Sequence, residues 1–284
     1  MIYPFAIMVH GGAGAWPEIE LPAAKIGCQA AAQLGWTILN NGGSALDAVE
    51  AAIVALEDNP SFNAGTGSCL NQRGEIEMDA SIMDGARHTA GAVAVIKHYK
   101  NPIQLARKVM ADGRHVLLAG EGAEAFAQTQ QCSRCDPASL RVAKRVTQWQ
   151  STHGTVGCVA MDTQGQLAAG TSTGGLFDKL PGRISDSALI GCGTYANTDG
   201  AVSCTGIGEA IIRSVLAKTT VDALRHHVSA SAAVQQVIAQ FIADTHRQAG
   251  VIVIDNKGSI AFAHNCQAMP VAFVDRTGNI QVAH

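Results

Sequence analysis

The sequence predicts a layered fold in which strands are covered on both faces by helices, and three observations carry that reading. Apolar residues make up 47% of the 284-residue chain and charged residues only 15%, so a substantial core can be buried. The 30 glycines supply the close backbone crossings that stacked layers need. Short apolar runs with strand character also alternate with longer segments of helical spacing.

Taken in order, residues 2–9 read as a buried strand ending in the glycine turn His10-Gly11-Gly12-Ala13-Gly14. Residues 23–40 carry helical spacing and stop at Asn40-Asn41-Gly42-Gly43, a helix C-terminal signal. Ser44 caps a second helix over 45–58, with Asp47 three residues on, until Asn59-Pro60 breaks it. Residues 75–83 alternate as a strand and 91–96 form an apolar one; Pro102 opens a helix over 103–111, and 122–130 is another. From 131 to 153 polar and charged residues cluster around Pro137 without a sustained apolar period, which reads as a linker holding a helical turn or two. Strands at 155–161 and 167–173 flank a Gln164-Gly165 turn as a hairpin. Strands at 188–192 and 201–204, helices at 207–217 and 231–246, and strands at 251–254, 260–263 and 272–274 complete the chain. There is no internal repeat and no sign of a second independent core.

Composition excludes several classes of function. The net charge is −3 and no Lys/Arg run offers a phosphate track, which argues against a nucleic-acid partner. The apolar runs are too short to span a membrane, and the N-terminus reads as a strand, not a signal peptide. Eight cysteines are too sparse for a disulfide scaffold; most sit in apolar stretches, as buried thiols do, and a cytoplasmic location is expected. Cys132 and Cys135 form a C-x-x-C with no second ligand pair for zinc. The ten histidines show no metal spacing, and the absence of G-x-S-x-G removes the serine α/β-hydrolase reading.

Some motifs are weak alone. His10-Gly-Gly-Ala-Gly lacks the Lys-Ser/Thr ending of a phosphate loop and reads as a crossing point where Cβ atoms will not fit. Phe62-Asn63-Ala64-Gly65-x-Gly67 reads as a tight loop, and Thr205-Gly206-Ile207-Gly208-Glu209 as a strand end opening a helix, where free N–H groups can hold an anion or a carbonyl oxygen. The run 152–186 says more. It sets Gly154-Thr155 at the start of an apolar strand, Thr171-Ser172-Thr173 at the end of the next, and then Arg183-x-x-Asp186. This resembles the processing point of an N-terminal-nucleophile hydrolase. There a freed Thr attacks through its hydroxyl while its own α-amine, with an unperturbed pKa of about 7.7–8.0, takes the proton.

The ordered blocks MVHGGAGAW, NNGGSALDAVEAAIVALEDNPSFNAGTGS, GEIEMDASIMDG, GAVAVIKHYKNPIQLARKVM, GTVGCVAMD, AAGTSTGG, LPGRISDS, YANTDGAVSCTGIGE and GVIVID resemble the plant-type asparaginase / isoaspartyl aminopeptidase family over nearly the whole chain. The resemblance implies an α+β fold, a four-layer αββα sandwich in a single domain. It also implies autocleavage between Gly154 and Thr155 into interleaved subunits of residues 1–154 and 155–284, the 131–153 linker becoming mobile once released. Catalysis is expected from Thr155 as nucleophile, Thr173 beside it, Thr205 and Gly206 as oxyanion hole, and Asn63 at the terminal amine or the substrate. Arg183 and Asp186, completed by backbone at Gly206 and Gly208, are expected to grip the carboxylate and ammonium of an amino-acid end. L-Asparagine and β-aspartyl dipeptides are the implied substrates, because only the leaving nitrogen differs. No cofactor is implied beyond a structural sodium ion on the carbonyls of Leu56, Glu57, Asn59, Phe62, Ala64 and Thr66, and a dimer of αβ heterodimers is the implied assembly. A Gly is usual in the family between the Arg and Asp of the clamp, whereas Ser185 stands before Asp186 here; a need for positive φ there would strain it. Glycosylated-asparagine amidases share the mechanism but favour a secretion signal, and a Thr endopeptidase relative carries a longer linker. An unprocessed homologue that only binds amino acids through Arg183 and Asp186 is the alternative from another class.

Overall fold

The computed structural model describes residues 5–143, 154–226, 229–274 and 278–284. Strands β1 (Ala6–His10), β2 (Met78–Asp84), β3 (Thr89–Ile96), β4 (Leu117–Ala119), β5 (Val156–Met161), β6 (Leu167–Thr173), β11 (Val271–Val274) and β12 (Ile280–Ala283) form one sheet. Its order is β12-β11-β1-β5-β6-β2-β3-β4. A second sheet, ordered β10-β9-β8-β7, holds β7 (Thr194–Ala196), β8 (Gly200–Gly206), β9 (Ala249–Asp255) and β10 (Ile260–His264). Helices α1 (Leu21–Asn40), α2 (Ala45–Glu57) and α3 (Pro102–Asp112) pack on the large sheet. Helix α4 (Gly120–Thr129) sits against β3 and β4. The short helix α5 (Gly208–Ser214) follows β8, while α6 (Leu216–Leu224) and α7 (Ala230–Thr245) pack on the small sheet. Strands β1, β5 and β6 contact β8 and β9 across the gap between the sheets.

The sequence explains this placement. Every residue of β1, β2, β5 and β6 is buried, as expected of strands covered on both faces, where apolar runs replace alternation. Ser44 caps α2 by accepting the Asp47 N–H at 3.1 Å. The apolar interior forms two layers sharing the large sheet: one around Ile7, Leu39, Ile53, Leu56 and Ile82, the other around Met8, Val159, Ile211, Phe241 and Ile252.

Several expected elements are redrawn. Residues 188–192 are not a strand. The Asp186 carbonyl accepts the N–H groups of Leu189 and Gly193, which winds the chain into a 3-10 turn at Asp186–Ala188, and Gly191 at φ 93° turns it again before β7. The helix expected over 207–217 breaks at Val215, which is left-handed at φ 46°, ψ 47° and separates α5 from α6. Strand β2 begins three residues later than expected, with a register shift between Met78 and Ala80. The first part of the linker is fastened down. Leu140 is 1% exposed on a 3-10 turn at Pro137–Leu140, and its carbonyl accepts the Gly67 N–H at 2.8 Å. The rest of the linker, 144–153, lies outside the described residues, as do residues 2–4 of the first expected strand.

Candidate active site

Strands β5 and β6 pair antiparallel with Val156 opposite Ser172, which carries Thr155 alongside Thr173. Thr155 Oγ1 donates to Thr173 Oγ1 at 3.2 Å, and Thr173 Oγ1 also accepts the Gly175 N–H at 3.0 Å. Both side chains are buried. Beneath this turn the Lys179 ammonium donates to the carbonyls of Glu77 and Gly174.

The peptide before Thr155 is gripped from two sides. The Asn63 backbone N–H donates to the Gly154 carbonyl at 3.1 Å. Asn63 is expected at the terminal amine or the substrate. In the structure its Nδ2 donates to the Gly175 carbonyl at 2.7 Å and its Oδ1 accepts the Cys69 N–H at 2.8 Å. That side chain is therefore occupied in shaping the loop, and it is the backbone of Asn63 that meets the Gly154 carbonyl. On the other side lies Gly12 at φ 106°, where a Cβ would stand 2.4 Å from Gly154 Cα.

Thr205 and Gly206 end β8 across the cleft. The Ala13 N–H donates to Thr205 Oγ1 at 3.0 Å, which fills an acceptor position and leaves the hydroxyl proton free to point elsewhere. Gly206 sits at φ 140° with a hypothetical Cβ only 2.5 Å from the Gln248 carbonyl, so this position requires glycine.

The clamp residues converge around Gly208, where a Cβ would lie 2.6 Å from Arg183 Nη2 and 2.7 Å from Asp186 Oδ1. Arg183 is held by Glu209, whose Oε1 accepts from Nε and from Nη2 at 2.9 Å. Asp186 is buried and its Oδ2 makes no hydrogen bond among the described residues. Burial pushes its pKa up to about 7, with the Arg183 charge opposing the rise. Ser185 is extended at φ −86°, ψ 168°, so replacing Gly there costs no backbone strain. Its buried Oγ lacks a partner among the described residues and lines the cleft, free to touch a bound molecule. The Ser185 N–H is fixed at 2.7 Å by Asp79 Oδ2, while Asp79 Oδ1 accepts the N–H of Val95, held at φ 58°.

The loop after α2 closes on itself. The carbonyls of Leu56, Glu57 and Asn59 accept N–H groups from Asn59, Thr66 and Phe62, each keeping a spare lone pair. Gly65 and Gly67 take φ 53° and 94° where Cβ atoms would strike the carbonyls of Glu57 and Phe62. The loop reaches the site through Asn63 and through the Glu57 carboxyl, which accepts from Ser172 Oγ at 2.6 Å. Burial pushes that carboxyl up to about 8. Among the described residues no group of three or more His, Cys, Asp or Glu could hold a metal ion; Cys132 and Cys135 are free thiols.

Thr155, Thr173, Thr205, Gly206, Arg183 and Asp186 thus line one cleft together with Gly154 and Ser185. Gly208 lies behind the clamp, and Asn63 lies under Gly154. The open space is about 10 Å³, room for roughly one water while Gly154 remains in place. Sequence reading missed Asp79, Lys179 and Glu209 as supports of the site; their only signal was acidic and basic residues inside strongly apolar or glycine-rich blocks.

With this geometry in hand, comparison with known proteins is informative. A family model described as Asparaginase matches residues 3–153 and 148–284. The plant-type L-asparaginase of Pyrococcus abyssi is 44% identical over 300 residues, covering 95% of this chain and 96% of that protein. The human isoaspartyl peptidase/L-asparaginase is 40% identical, covering 95% of this chain and 92% of its own length, and the Danio rerio protein of the same name is 39% identical over 90% of this chain. No helix among the described residues is long and apolar enough to cross a membrane.

Proposed function

The chain belongs to the asparaginase family, and on that premise we infer that it is an amidohydrolase that cuts itself before Thr155 and releases L-aspartate from L-asparagine and β-aspartyl dipeptides. One observation carries this reading: the Thr155–Thr173 hydroxyl pair, at 3.2 Å, shares a cleft with an arginine and the buried Asp186 carboxylate, whose Oδ2 has no hydrogen-bond partner among the described residues. The contacts of helices on the outer faces of two facing sheets support the four-layer αββα arrangement of N-terminal-nucleophile hydrolases.

The first step is an attack by Thr155 Oγ1 on the Gly154 carbonyl, which the Asn63 N–H polarises. The acyl group moves from nitrogen to oxygen, the released nitrogen takes the proton, and water opens the ester. Loss of Gly154 from the cleft then makes room for substrate. The α-carboxylate of the substrate pairs with Arg183 and its ammonium with Asp186, so the β-carbonyl lies over Thr155. The α-amine of Thr155 takes the hydroxyl proton, and the Thr205 hydroxyl with the Gly206 N–H receives the charge that develops on the carbonyl oxygen. Ammonia or an amino acid leaves, and water hydrolyses the β-aspartyl ester.

The clamp supplies the test. Arg183→Ala removes one buried charge-assisted pairing, so KM for a β-aspartyl dipeptide is expected to rise by about 30-fold or more while self-cleavage proceeds. Equal loss of self-cleavage would make Arg183 a structural residue. Only ionised Asp186 accepts an ammonium, so inhibition by L-aspartate strengthens as pH rises through about 7 and levels off above it. A pH-independent inhibition constant between pH 5.5 and 8 is the contrary result.

The spare lone pairs of the 56–66 carbonyls are hard oxygen donors, and we propose that they hold a sodium ion that stiffens the loop. Replacing sodium chloride by choline chloride at constant ionic strength is expected to lower Tm; an unchanged Tm removes the ion.

A further inference from the structure

One row of the surface between the two sheets is polar. His10 on β1, Ser81 on β2 and Thr171 on β6 meet Thr194 on β7 and Ser203 on β8, each with 0% exposure. His10 Nε2 lies 3.0 Å from Ser203 Oγ, which lies 2.7 Å from Thr171 Oγ1. Thr171 Oγ1 is 2.6 Å from Thr194 Oγ1, which is 2.8 Å from Ser81 Oγ. Two carbonyls close the row: Ser187 O at 2.6 Å from Ser81 Oγ and Gly193 O at 3.1 Å from Thr171 Oγ1.

The position of the row follows the strand period. Side chains two apart on a strand share a face. Thr171 precedes Thr173 by two residues and Ser203 precedes Thr205 by two, while Ser81 lies two beyond Asp79, which fixes Ser185. Ser187 follows Asp186, and His10 enters the glycine turn that presses on Gly154. Thr171 and Ser203 therefore share a strand face with site residues and Ser81 with the residue that fixes Ser185, while Thr194 joins the row through Thr171 and Ser81.

Proton counting bears on the tautomer of His10. Each hydroxyl has one proton to give, and the carbonyls only accept. If the imidazole carries its proton on Nε2, five protons serve the six contacts and one contact is left over. If the proton is on Nδ1, only four protons serve the six contacts and two are left over. The Nε2–H tautomer therefore belongs to this row, and it leaves Nδ1 a bare lone pair. That atom is buried and has no hydrogen-bond partner among the described residues. Burial also keeps the ring neutral, its pKa brought down to about 3 against the opposing pull of the Thr155 carbonyl.

We propose that Ser81, Thr194, Thr171, Ser203 and Nε2-protonated His10 form a positioning floor that sets the spacing between the Thr155–Thr173 pair on one sheet, Thr205 on the other, and Asp186 on the turn that precedes β7. The proposal rests on the hydrolase reading. It concerns residues that touch no substrate, so the expected signature lies in kcat. Thr194→Val keeps the shape and removes the central hydroxyl. It is expected to lower kcat on a β-aspartyl dipeptide by about 10- to 100-fold, as small misplacements of reacting groups do, with KM within about threefold. Thr194→Ser restores the hydroxyl and is expected to recover most of kcat. In the wild-type protein, ¹⁵N-histidine NMR is expected to show His10 neutral and protonated at Nε2 at pH 7, and Ser203→Ala to disturb that resonance. A Thr194→Val enzyme with wild-type kcat, a Thr194→Ser enzyme as slow as Thr194→Val, or His10 protonated at Nδ1 overturns the floor. If Thr194→Val does not fold, the serine variant and the wild-type spectrum still decide. A wild-type protein that releases no aspartate refutes the hydrolase reading instead, and the tautomer measurement stands apart from it.

Discussion

Thr155→Ala is expected to yield an intact chain that neither cuts itself nor releases aspartate. The two reactions share one hydroxyl, which donates to the Thr173 hydroxyl at 3.2 Å. Removing a nucleophile of this kind costs on the order of 10⁶-fold in kcat, which is complete loss in an ordinary assay. Thr155→Ser keeps the oxygen but loses the methyl that restricts its rotamer, so cleavage continues more slowly and turnover falls. Thr155→Cys is expected to process, a thiolate being the better nucleophile, yet to hydrolyse amides poorly if Thr205 and Gly206 are set for the shorter C–O reach. Intact mass gives the first reaction, and ammonia from L-asparagine with aspartate from an isoaspartyl dipeptide gives the second. A Thr155→Ala protein releasing ammonia at the wild-type rate would place the chemistry on another residue and end this account.

The residues that sequence reading assigned to the cleft are those whose roles are local. Thr155 and Thr173 fall at facing positions of one hairpin, so strand register alone brings them together. Arg183 and Asp186 lie three residues apart in the segment between β6 and β7, and Thr205-Gly206 ends a strand just before a helix. The supports were not legible because each acts across a long separation in sequence. Asp79 holds Ser185 from 106 residues away, and His10 meets Ser203 across 193. Glu209 is the last residue of its sequence block, and nothing local shows that its carboxylate faces Arg183. Asn63 lies against Gly154 through its backbone, while the side chain that marks the motif is turned into its own loop.

The same division runs through the fold. Strong local signals located most helices and strands, including the Ser44 cap and the β5–β6 hairpin. The break at Val215 has no Gly or Pro to announce it, and a β-branched residue at φ 46° persists only because its surroundings dictate it. The apolar run 188–192 looks like a strand, yet the turn is set by the Asp186 carbonyl, a backbone acceptor three and seven residues back that no side-chain pattern announces. Short edge strands such as β4 and β12 depend on neighbours contributed from elsewhere in the chain.

Gly12→Ala is expected to block self-cleavage while leaving the chain folded. A Cβ at this position would stand 2.4 Å from Gly154 Cα and 2.7 Å from its carbonyl carbon, both backbone atoms that cannot swing aside. The substitution also forces an L side chain onto φ 106°, a region costing about 1–3 kcal/mol for residues other than Gly. Relief must come from moving the glycine turn, the Gly154–Thr155 peptide, or both. Either motion disturbs the 3.1 Å hydrogen bond from the Asn63 N–H to the scissile carbonyl, or the hold of the Ala13 N–H on Thr205 Oγ1. Misplacing a reacting carbonyl by about 1 Å costs roughly 100-fold in rate, so the half-time of cleavage should lengthen by at least that factor. Gly42→Ala is the control. Gly42 also has a positive φ, of 82°, but nothing lies within 4 Å of the added Cβ, so it pays the backbone strain without touching the cut. Intact-mass time courses of the two variants then separate the effects. If both cleave at the same reduced rate, general destabilisation explains the defect. If Gly12→Ala cleaves as fast as the wild type, the glycine turn does not hold the scissile peptide.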